Sequence, residues 1–285
     1  MCKQRVECGN TARQRKIKPA KDMAELRRLT QVKLRTGLTM AAALVLVTVA
    51  FGVGVHGLAQ AIATQAQSID GYKDAHQKQL LTDFGWLARF KDANAALPPS
   101  QPDDKRVVFM GDSITEGWHL DQSFSGKPYI NRGISGQTTP QMLIRFRQDV
   151  LELKPKVVII LAGTNDVAGN TGPMTAEQTE GNIQSMAQLA AANGIRVVLC
   201  SVLPASHFNW APSVQDPADK ILAINTWIKS YATSQGYPYV DYHSAMRDAQ
   251  NGLPPELSKD GVHPFPAGYA IMSPLADAGI AKALQ

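Results

Sequence analysis

From Lys105 onward, short runs of apolar residues alternate with longer segments in which apolar positions recur every three or four residues. The runs "VVFM" (107–110), "PYINRG" (128–133), "KVVIILAG" (156–163), "IRVVLCSV" (195–202) and "YPYVDY" (237–242) are too short for helices and rich in β-branched residues, so they predict five buried strands. "KVVIILAG" is the most apolar and is expected at the centre of the sheet. Between the strands, Thr139 and Pro140 are expected to open a helix, as cap and first-turn proline, through "QMLIRFRQDVLEL". Thr175 and Gln178 form a capping box for a helix that Asn193-Gly194 stops near Ala192. "ADKILAINTWIKSYATS" and "AGYAIMSPLADAGIAKAL" read as two further helices, the last kinked at Pro274. Strands alternating with helices predict an α/β fold whose parallel sheet is covered on both faces.

Upstream, "KQLLTDFGWLARFKDANAAL" places Leu80, Phe84, Leu87 and Phe90 near helical spacing, and "PPSQPDD" then breaks the pattern. Residues 62–104 are therefore expected to be one helix and a linker packed on a main domain of residues 105–285, being too few to hold a core of their own.

Charge divides the chain at residue 61. The first 61 residues carry 11 Lys/Arg and 3 Asp/Glu, whereas the other 224 carry 18 and 21. The formal net charge of +5 thus belongs to the leader, and nucleic-acid binding by the folded part is excluded for want of a basic stripe. Residues 1–35 read as a solvated basic leader. Residues 38–55 form an uncharged stretch of 18, and Ala59 and Ala61 supply a small-residue cleavage pattern. Segment 36–61 is expected to be a signal peptide cleaved after Ala61, with Met23 an alternative start; an uncleaved membrane anchor through 38–55 is the other reading. Either sends the rest of the chain out of the cytoplasm, to the periplasm or beyond. Of three cysteines, Cys2 and Cys8 lie in the leader, and Cys200, inside a strand, reads as a core filler.

Chemistry-bearing residues collect where the strands end. The first strand runs into Gly111-Asp112-Ser113, the second into Gly133-Ile134-Ser135-Gly136, the third into Gly163-Thr164-Asn165-Asp166. Asp260 and His263 stand three residues apart in "KDGVHP", before the last helix. A hydrolytic site needs a nucleophile, a base, a carboxylate that orients the base, and donors for a developing oxyanion, and each type is present. Taken singly they are ordinary: Asp112 or Ser113 could merely cap a helix, and Asp260 a turn. Gly111-Asp112-Ser113-Ile114-Thr115 lacks the last glycine of the G-x-S-x-G elbow, which excludes the α/β-hydrolase arrangement. His119, His207 and His243 have no partner at metal-ligand spacing and read as surface or supporting groups; Trp210, after the fourth strand, could line a pocket or pack.

The four blocks Gly-Asp-Ser, Asn-Arg-Gly-Ile-Ser-Gly, Gly-Thr-Asn-Asp and Asp-Gly-Val-His, in this order between residues 111 and 263, resemble the SGNH hydrolases, also called GDSL esterases and lipases. The wording of the second and third blocks is most similar to the lysophospholipase-like and platelet-activating-factor acetylhydrolase-like branch. The resemblance runs from about Val107 to the carboxyl terminus. It implies a three-layer α/β/α flavodoxin-like fold around a five-stranded parallel sheet, in strand order 2-1-3-4-5, and a hydrolase needing no metal or cofactor. It further implies Ser113 as nucleophile, His263 as base and Asp260 as its orienter, with an oxyanion hole of the Ser113 and Gly136 N–H groups and the Asn165 amide; Gly133 is the competing glycine. The expected activity is that of an exported serine esterase acting on a small-molecule or glycan ester. No long apolar lid follows residue 105, which favours short acyl groups, acetylated sugars among them. An acyltransferase, a thioesterase or a lysophospholipase could use the same residues, and a silent carbohydrate-binding module is the reading from another class.

Overall fold

The computed structural model describes residues 64, 71, 74–101 and 103–285. The basic leader 1–35, the apolar segment 36–61 and its cleavage site lie outside the described residues. Ala75–Gln285 form one compact unit, which does not divide at residue 105. Among the described residues no helix is long and apolar enough to cross a membrane.

Five parallel strands, β1 (Val107–Gly111), β2 (Tyr129–Gly133), β3 (Val157–Leu161), β4 (Arg196–Cys200) and β5 (Tyr239–Val240), lie in the order β2-β1-β3-β4-β5. Alternate residues of the central strands feed two cores. Val108, Met110, Val158 and Ile160 pack with Phe146 of α5 (Thr139–Asp149), Met186 of α7 (Ala176–Ala192) and Ile224 of α8 (Pro217–Gln235). Val107, Phe109, Val157 and Ile159 face the other way, toward Trp118, Phe124, Tyr242 and Met272 of α10 (Pro266–Ala283). Both faces are therefore dry, which is why these strands read as continuous apolar runs rather than as alternating ones. Pro274 sits inside α10 without ending it.

Three local expectations are corrected. The amino-terminal segment is not one helix: residues 74–82 are helical (α1), a turn follows, and Lys91–Ala95 resume as α2. The Asp83 carboxylate accepts from the N–H groups of Leu87 and Ala88 at 2.8 and 3.0 Å, and Trp86 takes a left-handed conformation (φ 53°), so the helix is capped off there. The freed carbonyls of Phe84, Gly85 and Leu87 accept from the side-chain amides of Gln141, Gln137 and Gln148, tying the turn to the start of α5 and to its face. Tertiary acceptors outweigh local periodicity.

The cap of α5 is Thr138, not Thr139; the Gln141 side chain accepts from the Thr138 N–H at 3.0 Å. Thr139 is otherwise engaged, its hydroxyl and N–H both donating to Asp166, whose carboxyl burial pushes up to about 6 against those same bonds. Of the two readings of His243, surface or supporting, the first is overturned: the residue is buried, and burial holds its imidazole below the usual histidine value.

One glycine is required by a close approach. Between β1 and β2 the chain turns through α3 (Ser113–Glu116), which crosses the end of β2 so tightly that a Cβ on Gly133 would lie 2.1 Å from the Glu116 nitrogen. Gly133→Ala is expected to cost at least about 3 kcal/mol, because backbone rather than a flexible side chain would have to move. A thermal melt of the variant overlying that of the wild type would contradict this packing.

Candidate active site

The register sets the site. Gly111 pairs with Gly133 on one side and Leu161 on the other, so the loops after β1, β2 and β3 leave one edge of the sheet side by side. This edge is the carboxyl end, beside the reversal of strand order, where parallel sheets bind ligands. The Asp112 carboxylate caps α3 by accepting from the Ile114 N–H at 3.0 Å, and Ser113 is the first residue of that single turn. Asp112 itself is buried, and burial pushes its carboxyl up to about 7, although the Ile114 N–H and nearby His263 pull the other way.

His263 arrives from the loop before α10. The Tyr269 hydroxyl, on the first turns of that helix, donates to the Ile114 carbonyl at 2.8 Å and so clamps α10 onto α3. Ser113 Oγ and His263 Nε2 then lie 2.9 Å apart, and His263 Nδ1 is 2.6 Å from Asp260 Oδ2. The second carboxylate oxygen, Asp260 Oδ1, accepts from the N–H groups of His263 and Val262 at 2.9 and 3.0 Å and from the Ser258 hydroxyl at 3.0 Å. Burial pushes the Asp260 carboxyl up, but the His263 and Val262 N–H groups and the His263 ring outweigh it and hold the carboxyl well below the usual range. The carboxylate is thus ionised and cannot rotate away from the imidazole. The pair stays open to solvent, with the side chains of His263 and Asp260 42% and 37% exposed. Cavities of about 370 and 480 Å³ flank α3, lined by Glu116, Trp118, His119 and Tyr269 among others, and neither includes Ser113, Asp260 or His263.

Of the three expected oxyanion donors, the Gly136 N–H and the Asn165 amide are placed differently. The Gly136 N–H has no acceptor among the described residues, whereas the Gly133 N–H is spent on Asn131 Oδ1 at 2.8 Å, which separates the two candidate glycines. Asn165 is buried, and its amide nitrogen donates to the Gln137 carbonyl at 3.1 Å and to Asp112 Oδ2 at 3.2 Å. An oxyanion would have to take over one of these two long bonds. Asn165 lies in α6 (Thr164–Ala168), which Gly169 closes in the left-handed conformation (φ 73°): the Gly169 N–H bonds the Asp166 carbonyl and the Asn170 N–H the Asn165 carbonyl, at 3.1 Å each. That closure folds Asn170 back against Asn165, Asn170 Nδ2 donating to Asn165 Oδ1 at 2.9 Å.

Asn170 carries no catalytic signature, and sequence reasoning passed over it; the glycine stop before it was the available signal. Trp210, on the β4–α8 loop, donates to Asn170 and has its ring 6.1 Å from that of His263. Cys200 is buried within β4, and burial pushes its thiol up, so it takes no part here.

An acetylxylan esterase of Xylanibacter ruminicola is 27% identical over 243 residues, covering 72% of this chain; the chain spans about half, 48%, of that protein's length. An uncharacterised lipoprotein of Bacillus subtilis is 37% identical over 117 residues, which are 34% of this chain and 48% of that one. The crystal structure of a GDSL-like lipase from Bacteroides thetaiotaomicron superposes with a TM-score of 0.69 at 48% identity, covering 70% of this chain and all of that one. The model of the GDSL-like Lipase/Acylhydrolase family matches residues 109–271, from the middle of β1 past His263 into α10. With its five-stranded parallel sheet and the four blocks on one edge of it, the chain belongs to the GDSL-like lipase/acylhydrolase family.

Proposed function

We propose that this chain is an exported serine esterase that removes short acyl groups, acetyl above all, from sugar hydroxyls. The observation that carries the reading is the unbroken line from Ser113 Oγ through both nitrogens of His263 to the Asp260 carboxylate. His263 Nε2 takes the Ser113 proton as Oγ attacks the ester carbonyl, then delivers it to the departing alcohol; water, activated by the same nitrogen, hydrolyses the acyl-enzyme. The Ser113 and Gly136 N–H groups and the Asn165 amide hold the tetrahedral oxyanion. Asp260 holds the imidazole with Nδ1 protonated, so that Nε2 has a lone pair for the serine.

The open site and the acetylxylan esterase relative support a glycan ester as substrate. The lipoprotein relative, with the basic, apolar and small-residue pattern of the leader, supports export. Hydrolysis of p-nitrophenyl esters of increasing acyl length, run beside acetylated xylooligosaccharides, tests the substrate class. Acetyl is expected to give the highest kcat/KM, with a fall of about tenfold or more once the acyl chain outgrows a short-acyl site. A maximum at long acyl chains would replace this reading with that of a lysophospholipase or thioesterase.

A further inference from the structure

We propose that Trp210 and Asn170 are positioning residues of the oxyanion site, acting as a hydrogen-bond relay that fixes which way the Asn165 amide faces. The inference rests on the esterase reading. Its logic is the donor inventory of three side chains. An indole nitrogen donates and never accepts. Trp210 Nε1 lies 2.9 Å from Asn170 Oδ1, so the carbonyl end of Asn170 is the end held toward the β4–α8 loop. The NH₂ of Asn170 then points inward, where it meets two oxygens, the Gly136 carbonyl at 3.1 Å and Asn165 Oδ1 at 2.9 Å. With its own oxygen engaged there, Asn165 directs its NH₂ the other way, toward the Gln137 carbonyl and Asp112 beside the nucleophile.

The relay has a role that the inner bonds lack. When an oxyanion forms, a hydrogen of Asn165 leaves Gln137 or Asp112 for the new charge. The bond from Asn170 to Asn165 Oδ1 is common to the resting and reacting states and keeps the amide plane in place through the transfer. One Asn170 NH₂ also pins the Gly136 carbonyl, so a single side chain steadies both loops that carry oxyanion donors other than the nucleophile's own. Trp210 is 43% exposed yet its ring is held against Phe208, 5.2 Å between centroids, which gives the indole N–H a fixed direction.

The test is a set of double-mutant cycles on the full chain, reading kcat and KM for p-nitrophenyl acetate. Trp210→Phe keeps the ring and deletes the donor; it is expected to lower kcat about tenfold with KM changed less than about twofold, the effect of one misdirected hydrogen bond on the transition state. Asn170→Asp presents a carboxylate that cannot donate to Asn165 Oδ1, and is expected to lose on the order of 10² in kcat. Asn165→Ala alone is expected to lose on the order of 10²–10³, and in that background Trp210→Phe and Asn170→Asp should each add less than about twofold. Equal factors in both backgrounds, a change confined to KM, or a neutral Asn165→Ala would overturn the relay; a KM effect alone would make Trp210 a substrate-stacking ring. If Asn170→Asp does not fold, the Trp210→Phe cycle carries the test by itself. Ser113→Ala separates the two levels: if it abolishes turnover while Trp210→Phe is neutral, the relay alone fails, and if it leaves the rate intact, the esterase reading fails with it.

Discussion

Ser113→Ala is expected to reduce ester turnover by roughly 10⁶-fold, to background, and to leave no residue that a fluorophosphonate labels. The size follows from what is removed. Ser113 Oγ is the atom bonded to His263 Nε2, and without it the imidazole has only water to activate. What stays is the fold: Ser113 is partly exposed, its N–H remains, and α3 keeps the Asp112 cap on Ile114. Stability should therefore change by less than about 0.5 kcal/mol. Mass spectrometry of the labelled protein and initial rates on p-nitrophenyl acetate decide it. A variant that still labels stoichiometrically, or retains a tenth of the wild-type rate, would remove Ser113 from the nucleophile's role.

Asp260→Asn is expected to lower kcat on the order of 10⁴-fold, with the native fold retained. Asp260 Oδ1 holds three donors and an asparagine oxygen can go on holding them. The other end then offers NH₂ to His263 Nδ1 where an acceptor stood at 2.6 Å. Nδ1 must become the acceptor, the proton moves to Nε2, and Nε2 can no longer take one from Ser113. The same variant makes a prediction about acid stability. The folded-state value of Asp260 is depressed below the ordinary carboxylate value of about 4, so its contribution is full above that pH and is lost as pH falls through the folded value. Urea denaturation should show wild type and Asp260→Asn furthest apart at neutral pH and converging in strong acid. A constant gap from pH 7 down to pH 3 would mean that the carboxylate charge carries none of it.

Much of this architecture is legible in the linear chain because it is locally encoded. Val107–Gly111 and Val157–Leu161 are strands in the structure because their residues are apolar on both faces, and a run of that kind has no solvent side to lose. The Thr175–Gln178 capping box and the Asn193-Gly194 stop delimit α7 as read, since a cap needs only residues within one turn. The family was legible for a related reason: its four blocks are contiguous words, three of them at strand ends and the fourth in the loop before the last helix.

Two of the departures occur where a distant group competes for a local one. The spacing of Leu80, Phe84, Leu87 and Phe90 asks for a helix, and the turn at Asp83 wins because glutamines of α5 and of the loop before it satisfy the carbonyls it frees. Thr139 gives up the cap of α5 to Thr138 because a buried Asp166 from another loop claims its hydroxyl.

By itself the sequence determined the strands, the order of the blocks and the residue types a hydrolase needs, because each is a property of a few consecutive residues. Only the tertiary structure decided that Ser113 and His263, 150 residues apart, meet at 2.9 Å, that Gly136 rather than Gly133 has an N–H to offer, and that Asn170 and Trp210 stand behind Asn165. Hydrogen bonds are satisfied across the whole molecule at once, and which donor remains free at the sheet edge is settled when the last loop has closed over it.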